Sequence, residues 1–174
     1  MKRSTSLGAL SLLCALLGGC ALTSKGDALS MRYFNPQPAP GQRSAPAPKP
    51  FELRLGQVAS ASNLDERVAF RISAAEVGYY DDRRWTEPPE AYLRRALEKE
   101  LFEERKLTRV VTGAAPILDV ELTAFEELRS NPAKVRVSLS FSLRDERRSL
   151  AERSVTLEQP LESSGDRAAQ VAQA

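Results

Sequence analysis

Hydrophobic and polar residues alternate along much of this chain with the two-residue period of a half-buried strand. Phe51, Leu53 and Leu55 alternate with Glu52 and Arg54, and Val68, Phe70 and Ile72 alternate with Arg67, Ala69 and Arg71. Leu118, Val120, Leu122 and Ala124 alternate with Asp119, Glu121 and Thr123. The clearest run is Lys134 to Arg144, with Val135, Val137, Leu139, Phe141 and Leu143 on one face and Arg136, Ser138, Ser140 and Ser142 on the other. Asp145 to Ser149 is polar and reads as a hairpin turn, and Ala151, Arg153, Val155 and Leu157 mark the return strand. Elsewhere the period lengthens. Leu93, Ala96, Leu97 and Leu101 recur at helical spacing behind Pro88 and Pro89, which suit a first turn, so a helix is predicted over about 88–105. Thr86 is the expected N-cap, and Glu90 and Arg94 are placed for an i, i+4 pair on its solvent side. Arg109-Val110-Val111 reads as a short strand ending at Gly113. A last helical pattern begins at Ser164 and reaches Ala174 with no C-cap, so it reads as unfinished. Strands, helix, strands and helix in that order predict an α/β (mixed α+β) single domain over residues 51–174, a mixed, largely antiparallel sheet covered by helices.

The first fifty residues follow a different logic. Lys2 and Arg3 form a basic start, and Leu7 to Leu17 is an apolar stretch interrupted only by Gly8 and Ser11. Such a stretch is too short for a bilayer, which needs about 20 residues, and fits the apolar region of a signal peptide. It ends in Leu17-Gly18-Gly19-Cys20, where two small residues let the backbone enter a narrow peptidase cleft. This resembles the lipobox of bacterial lipoproteins, which implies cleavage after residue 19 and a lipid anchor, palmitate included, on Cys20. Several acyl chains hold far more firmly than one. Ala21 stands where inner-membrane lipoproteins often carry Asp, which points to the periplasmic face of the outer membrane. Residues 20–50 then read as a lipidated N-terminus followed by a Pro-rich linker. Six of the eleven prolines fall in residues 36–50; at about 3.1 Å per residue in polyproline II, this run reaches roughly 45 Å. Met31-Arg32-Tyr33-Phe34 ahead of it is short and β-prone, and has two readings: part of a tether, favoured on composition, or a first strand of the domain.

Composition narrows the chemistry. The 174 residues carry 25 Lys plus Arg against 23 Asp plus Glu, two cysteines and no histidine. Without histidine there is no Ser-His-Asp or Cys-His catalysis, no His-liganded zinc and no imidazole pH switch. Loss of Lys2 and Arg3 with the signal peptide leaves the mature chain evenly charged, which disfavours a nucleic-acid partner drawn by bulk charge. Cys14 leaves with the same peptide and Cys20 becomes a thioether, so no disulfide is expected. No phosphate-binding glycine loop, dinucleotide fingerprint or nucleophile elbow occurs. The adjacent carboxylates Asp81-Asp82 and Glu126-Glu127 read as solvated loop charges, and no metal site or cofactor is expected. The chain reads as a non-enzyme.

One block stands apart. Glu76-Val77-Gly78-Tyr79-Tyr80-Asp81-Asp82-Arg83-Arg84-Trp85-Thr86-Glu87-Pro88-Pro89 holds half of the tyrosines and the only tryptophan, just ahead of the main helix. Tyr, Trp and Arg are the residues that dominate protein interfaces, because they offer large rigid area with a polar end. Tyr79, Tyr80, Arg83, Arg84 and Trp85 are therefore the candidate partner-binding residues. The competing reading makes Tyr79 and Trp85 core aromatics and leaves the arginines solvated.

This block, together with Leu53-Arg54-Leu55-Gly56-Gln57-Val58, Leu64-Asp65-Glu66-Arg67-Val68 and Tyr92-Leu93-Arg94-Arg95-Ala96-Leu97, resembles the ABC-type transport auxiliary lipoprotein family, relatives of the paraquat-inducible lipoproteins. The likeness extends over about residues 29–174, and so moves the start of the domain toward residue 29 and makes Met31 to Phe34 its first strand. It implies an outer-membrane lipoprotein facing the periplasm. The implied partners are a mammalian-cell-entry (MCE) domain protein, an ABC permease and an ATPase that together move lipids between membranes. It also implies a homo-oligomeric ring docked on the MCE protein, and no catalytic site. The Pro-rich insertion departs from the family pattern. The alternative is a free-standing envelope lipoprotein that acts as a structural or assembly factor.

Overall fold

The computed structural model describes residues 29–37 and 51–173, and Met31–Ala174 form one compact unit. The signal peptide, Cys20 and Pro-rich residues 38–50 lie outside the described residues. Along the chain come β1 (Arg32–Phe34), β2 (Glu52–Ser60), β3 (Arg67–Ser73), β4 (Glu76–Trp85), α1 (Pro89–Glu98), a π-helical turn (Lys99–Glu104), β5 (Thr108–Arg109), β6 (Ile117–Leu128), β7 (Lys134–Arg144), β8 (Ser149–Pro160) and α2 (Arg167–Val171). The fold is α+β, with one mixed sheet of eight strands and helices packed on it.

The sheet is built around β6. One edge of β6 pairs antiparallel with β7 from Ile117↔Arg144 to Leu128↔Lys134, and β7 in turn pairs with β8 from Arg144↔Ser149 to Lys134↔Pro160. The other edge is shared between two parallel strands. β2 lies beside its first half, from Arg54↔Ile117 to Ser60↔Leu122, and β3 beside its end, from Ala69↔Glu126 to Arg71↔Leu128. β4 adds antiparallel to β3, β1 parallel to β4, and β5 parallel to β2. Parallel neighbours need a crossover. Here α1 is part of it, packed on β2 and β6.

The alternating stretches all form strands, and Lys134 to Arg144 has the expected bounds. Several features differ from the reading of the sequence, among them the short strand, which is Thr108–Arg109 and not Arg109 to Val111. The aromatic block from Glu76 to Trp85 is itself a strand, which its mixed polarity hides. β6 runs on to Leu128, past the end of its simple alternation, because a bulge between Leu122 and Ala124 shifts the phase by one residue. Beyond the bulge Phe125 and Glu127 face Val137 and Val135, on the side that Leu122 and Leu139 occupy before it. Glu126 and Glu127 are consequently strand residues, 1% and 0% exposed, and not the solvated loop charges expected.

The main helix also starts and ends differently. Its N-cap is Pro88, with no side-chain cap, and Thr86 instead meets the Tyr92 hydroxyl. Glu90 and Arg94 do not pair with each other: Glu90 accepts from the Ser60 hydroxyl, and Arg94 donates to the Gly56 carbonyl at 2.9 Å. Both side chains thus fasten α1 to β2. After Glu98 the helix loosens, with the Arg105 N–H reaching the Glu100 carbonyl at 2.9 Å across five residues. The β7–β8 turn forms where expected. The Asp145 carboxylate accepts the N–H groups of Arg147 (2.8 Å) and Arg148 (2.9 Å), which hold its carboxyl below the ordinary range.

The core lies between the sheet and α2. Val68, Trp85 and Val135 pack with Ala168, Val171 and Ala172, and Phe34, Tyr80, Phe125 and Leu161 close around them. A second apolar layer, Leu53, Val58, Val120 and Leu122, is buried in β2 and β6.

Candidate functional site

The aromatic–arginine block occupies β4, between β3 and β1. Its residues divide between core and surface, and the register shift between Tyr79 and Arg84 breaks the two-residue period, so that Tyr80 and Trp85 both join the core. A Cβ on Gly78 would lie 2.5 Å from the Phe70 ring on the paired position of β3, so the missing side chain is what lets that ring lie across the strand. Phe70 then meets Tyr80 edge-on at 5.3 Å between centroids.

Trp85 is 2% exposed and stacks on Phe125 at 4.7 Å with 7° between ring planes. Its backbone N–H donates to the Glu66 carbonyl and its strand neighbour is Phe34 of β1. Trp85 therefore belongs to the core in this fold. Tyr80 is half-buried, and its hydroxyl donates to Glu127. Burial, then the Glu127 carboxylate, raises its phenol pKa above the ordinary value. Tyr79 is nearer the surface; its hydroxyl donates to the Asn63 carbonyl at 2.8 Å, and the Arg67 guanidinium lies 4.1 Å above its ring. Arg84 donates to the Tyr80 and Arg83 carbonyls at 2.9 and 3.0 Å.

Arg83 is the hub of an ionic network. It pairs with Asp82 on its own strand and with Asp166, the residue that caps α2, at 3.3 Å. Asp166 also pairs with Arg32 of β1 and accepts the Ala168 N–H at 3.0 Å. Burial opposes ionisation of Asp166, but Arg83, Ala168 N–H and Arg32 outweigh it and hold its carboxyl below the ordinary range. Burial likewise opposes the Arg83 charge and is outweighed by Asp166 and Asp82. The adjacent Arg167 reaches Glu127 at 2.8 Å, beside Arg129 at 3.7 Å. Two carboxylates thus hold a five-residue helix to the sheet. Glu126, on the opposite face, is met by Arg71 at 2.7 Å and Arg136 at 3.7 Å. Each buried carboxylate is met by arginine or tyrosine partners, which offset the cost of burying its charge.

Three surface features fall outside the residues singled out from the sequence. Tyr33 is 64% exposed on β1, next to Arg84 in register, so the block's outward aromatic comes from a neighbouring strand. Every residue of β8 is exposed, including Leu150, Val155 and Leu157. Leu157 lies opposite Val137 and Val155 opposite Leu139, so the apolar face of β6 and β7 continues onto an uncovered strand. The third is a groove of about 430 Å³ between α1, α2 and the exit of β1. Only packing brings these together. Among the described residues no cluster of three or more Cys, Asp or Glu is placed to hold a metal ion, and no helix is long and apolar enough to cross a membrane.

Residues 34–174 match the model of a protein family described as the ABC-type transport auxiliary lipoprotein component. Two solved structures share the fold. A crystal structure of a DUF330 protein from Xanthomonas campestris superposes with a TM-score of 0.65 at 22% identity, covering 81% of this chain and 83% of its own. The crystal structure of an uncharacterized protein superposes with a TM-score of 0.64 at 17% identity, covering 82% and 90%. At these identities the likeness speaks for the fold. No curated protein matches the chain.

Proposed function

Since the chain belongs to the family of ABC-type transport auxiliary lipoprotein components, we propose that it is the non-enzymatic outer-membrane member of an MCE-linked lipid transport system. In this reading Cys20 carries the lipid anchor and the domain faces the periplasm. There it docks the MCE-domain protein that spans toward an ABC permease and ATPase in the inner membrane. The observation that carries the reading is the family match, which runs from β1 to the end of the chain.

The mechanism is positional. An acylated N-terminus fixes one end of the molecule, and a surface on the domain captures the bridging partner. The outward part of the aromatic–arginine block suits capture: Tyr79, Arg84 and the neighbouring Tyr33 present ring and guanidinium surface beside a short edge strand. Tyr80, Arg83 and Trp85 act behind it, fixing β4 to β6 and to α2. The exposed apolar face of β8 suits the second contact that the reading requires, between copies in a ring around the bridge.

The test is co-purification of the lipidated protein with the MCE-domain protein from solubilised membranes. Stoichiometric recovery is expected, reduced by Tyr33→Ala. Failure to recover the partner with lipidation intact would remove the docking role.

A further inference from the structure

The groove beside α1 is open, largely apolar and unfilled by any described side chain. Leu93 and Ala96 of α1 form one wall, Val171 of α2 and Pro36 the other, and Phe125 and Val137 of the sheet the floor. Its volume of about 430 Å³ lies in the range of small-molecule sites, about 300–1,000 Å³. A cleft of this kind in a small domain ordinarily closes by side-chain collapse, because unfilled apolar space forfeits dispersion contacts. Here the walls are held in place by bonds to the sheet and by one at the rim. Arg94 and Glu90 fasten α1 to β2, Asp166 and Arg167 fasten α2 to β4 and β6, and the Gln37 N–H bonds the Ala172 carbonyl at 2.8 Å.

The mouth has a sign. Its charged lining residues are Arg95 and Lys99, with no carboxylate among them. Arg95 is engaged by Glu87 at 2.8 Å, while Lys99 makes no ion pair among the described residues and leaves its charge at the rim. The amides of Asn35 and Gln37 also border the opening and can meet ester carbonyls. Apolar depth, polar amides at the edge and a free ammonium above them match the three zones of an anionic phospholipid: acyl chain, glycerol esters and phosphate.

We propose that the groove between α1 and α2 takes an acyl chain of an anionic membrane phospholipid, with Lys99 at its phosphate. This deepens the transport reading above and rests on it for the source of the lipid. The domain then handles cargo as well as marking a docking point.

The experiment uses the full lipidated protein in phosphatidylcholine vesicles doped with phosphatidylglycerol that bears a diazirine in its acyl chain. Illumination is expected to place adducts on the peptides holding Leu93–Ala96 and Val171. Ala96→Trp, a change at an exposed position that fills the groove, abolishes them while circular dichroism stays unchanged. Lys99→Gln lowers the preference for phosphatidylglycerol over an equally labelled phosphatidylcholine by about fivefold, the effect of one cation near an anionic surface. Adducts confined to other surfaces, or unchanged in Ala96→Trp, overturn the proposal. A benzophenone amino acid at position 96 reports the remaining occupants. Cross-links to residues 38–50 or to a second copy, in place of lipid, overturn it as well. Labelling and co-purification are separate readouts, so loss of the first with the second intact removes the lipid site alone.

Discussion

Asp166 does three things at once: it caps α2, pairs with Arg83 and pairs with Arg32. Its carboxyl is held below the ordinary range, so its contribution is complete above the unfolded value of about 3.9 and fades as pH falls through the lower folded value. Acidification through that window is expected to release α2 from the sheet, read as a change in the emission of Trp85, which packs in the same core. Asp166→Asn should lower stability at neutral pH and flatten that acid-side response. Trp85 itself is a packing residue. Trp85→Ala removes a stacked ring from a nearly fully buried site and is expected to cost about 3–5 kcal/mol, measured by urea denaturation followed by circular dichroism. A loss below about 1 kcal/mol would contradict its place in the core.

At the scale of elements, β8 is the exposed one. All twelve of its residues are exposed although it pairs along its full length with β7. An edge strand with outward Val and Leu is an aggregation hazard unless something covers it. Leu157→Lys should therefore leave the stability of the monomer within about 0.5 kcal/mol, as for an ordinary surface change, while lowering self-association in analytical ultracentrifugation. Unchanged association would remove β8 from the proposed ring contact. The β7 pattern was legible because its apolar–polar alternation runs unbroken from Val135 to Leu143. The β6 pattern was legible only up to Ala124, since the bulge turns an inward period outward and puts Glu126 and Glu127 where apolar residues are expected. The cost of burying them is offset by five arginine or tyrosine partners from β3, β4, β7, the β6 end and α2. None of these is near in sequence except Arg129.

On the scale of the whole molecule, β1 joins the N-terminal side of the chain to the surface proposed for the partner. Of the two readings of Met31 to Phe34, the structure has the strand, with Phe34 beside Trp85 and the Phe34 carbonyl accepting the Thr86 N–H at 3.0 Å. The proposed anchor at Cys20 is then eleven residues before the unit that begins at Met31. In the proposed anchoring, eleven residues limit the reach from the membrane to about 36–40 Å of fully extended chain. Lengthening the segment between Cys20 and Met31 by ten Gly/Ser residues, about 15–20 Å of added reach, is expected to weaken partner recovery from membranes without altering the circular dichroism of the protein. Equal recovery would mean that the distance to the anchor does not matter.

The sequence by itself determined the class of the molecule. Strand and helix periods, the polar turn at Asp145 and the absence of histidine act locally or by count, and so they are readable before any contact is known. The family likeness was readable for a related reason, since its motifs are contiguous runs. Tertiary structure alone decided where the block's side chains go. Trp85 is core and Tyr33 is surface because β1 pairs with β4 across some fifty residues of chain, a contact that no local period encodes. It alone decided that two carboxylates are buried, because their partners arrive from other strands and from α2. It also made the groove, which exists only as the distance at which hydrogen bonds on α1 and ion pairs on α2 hold the two helices.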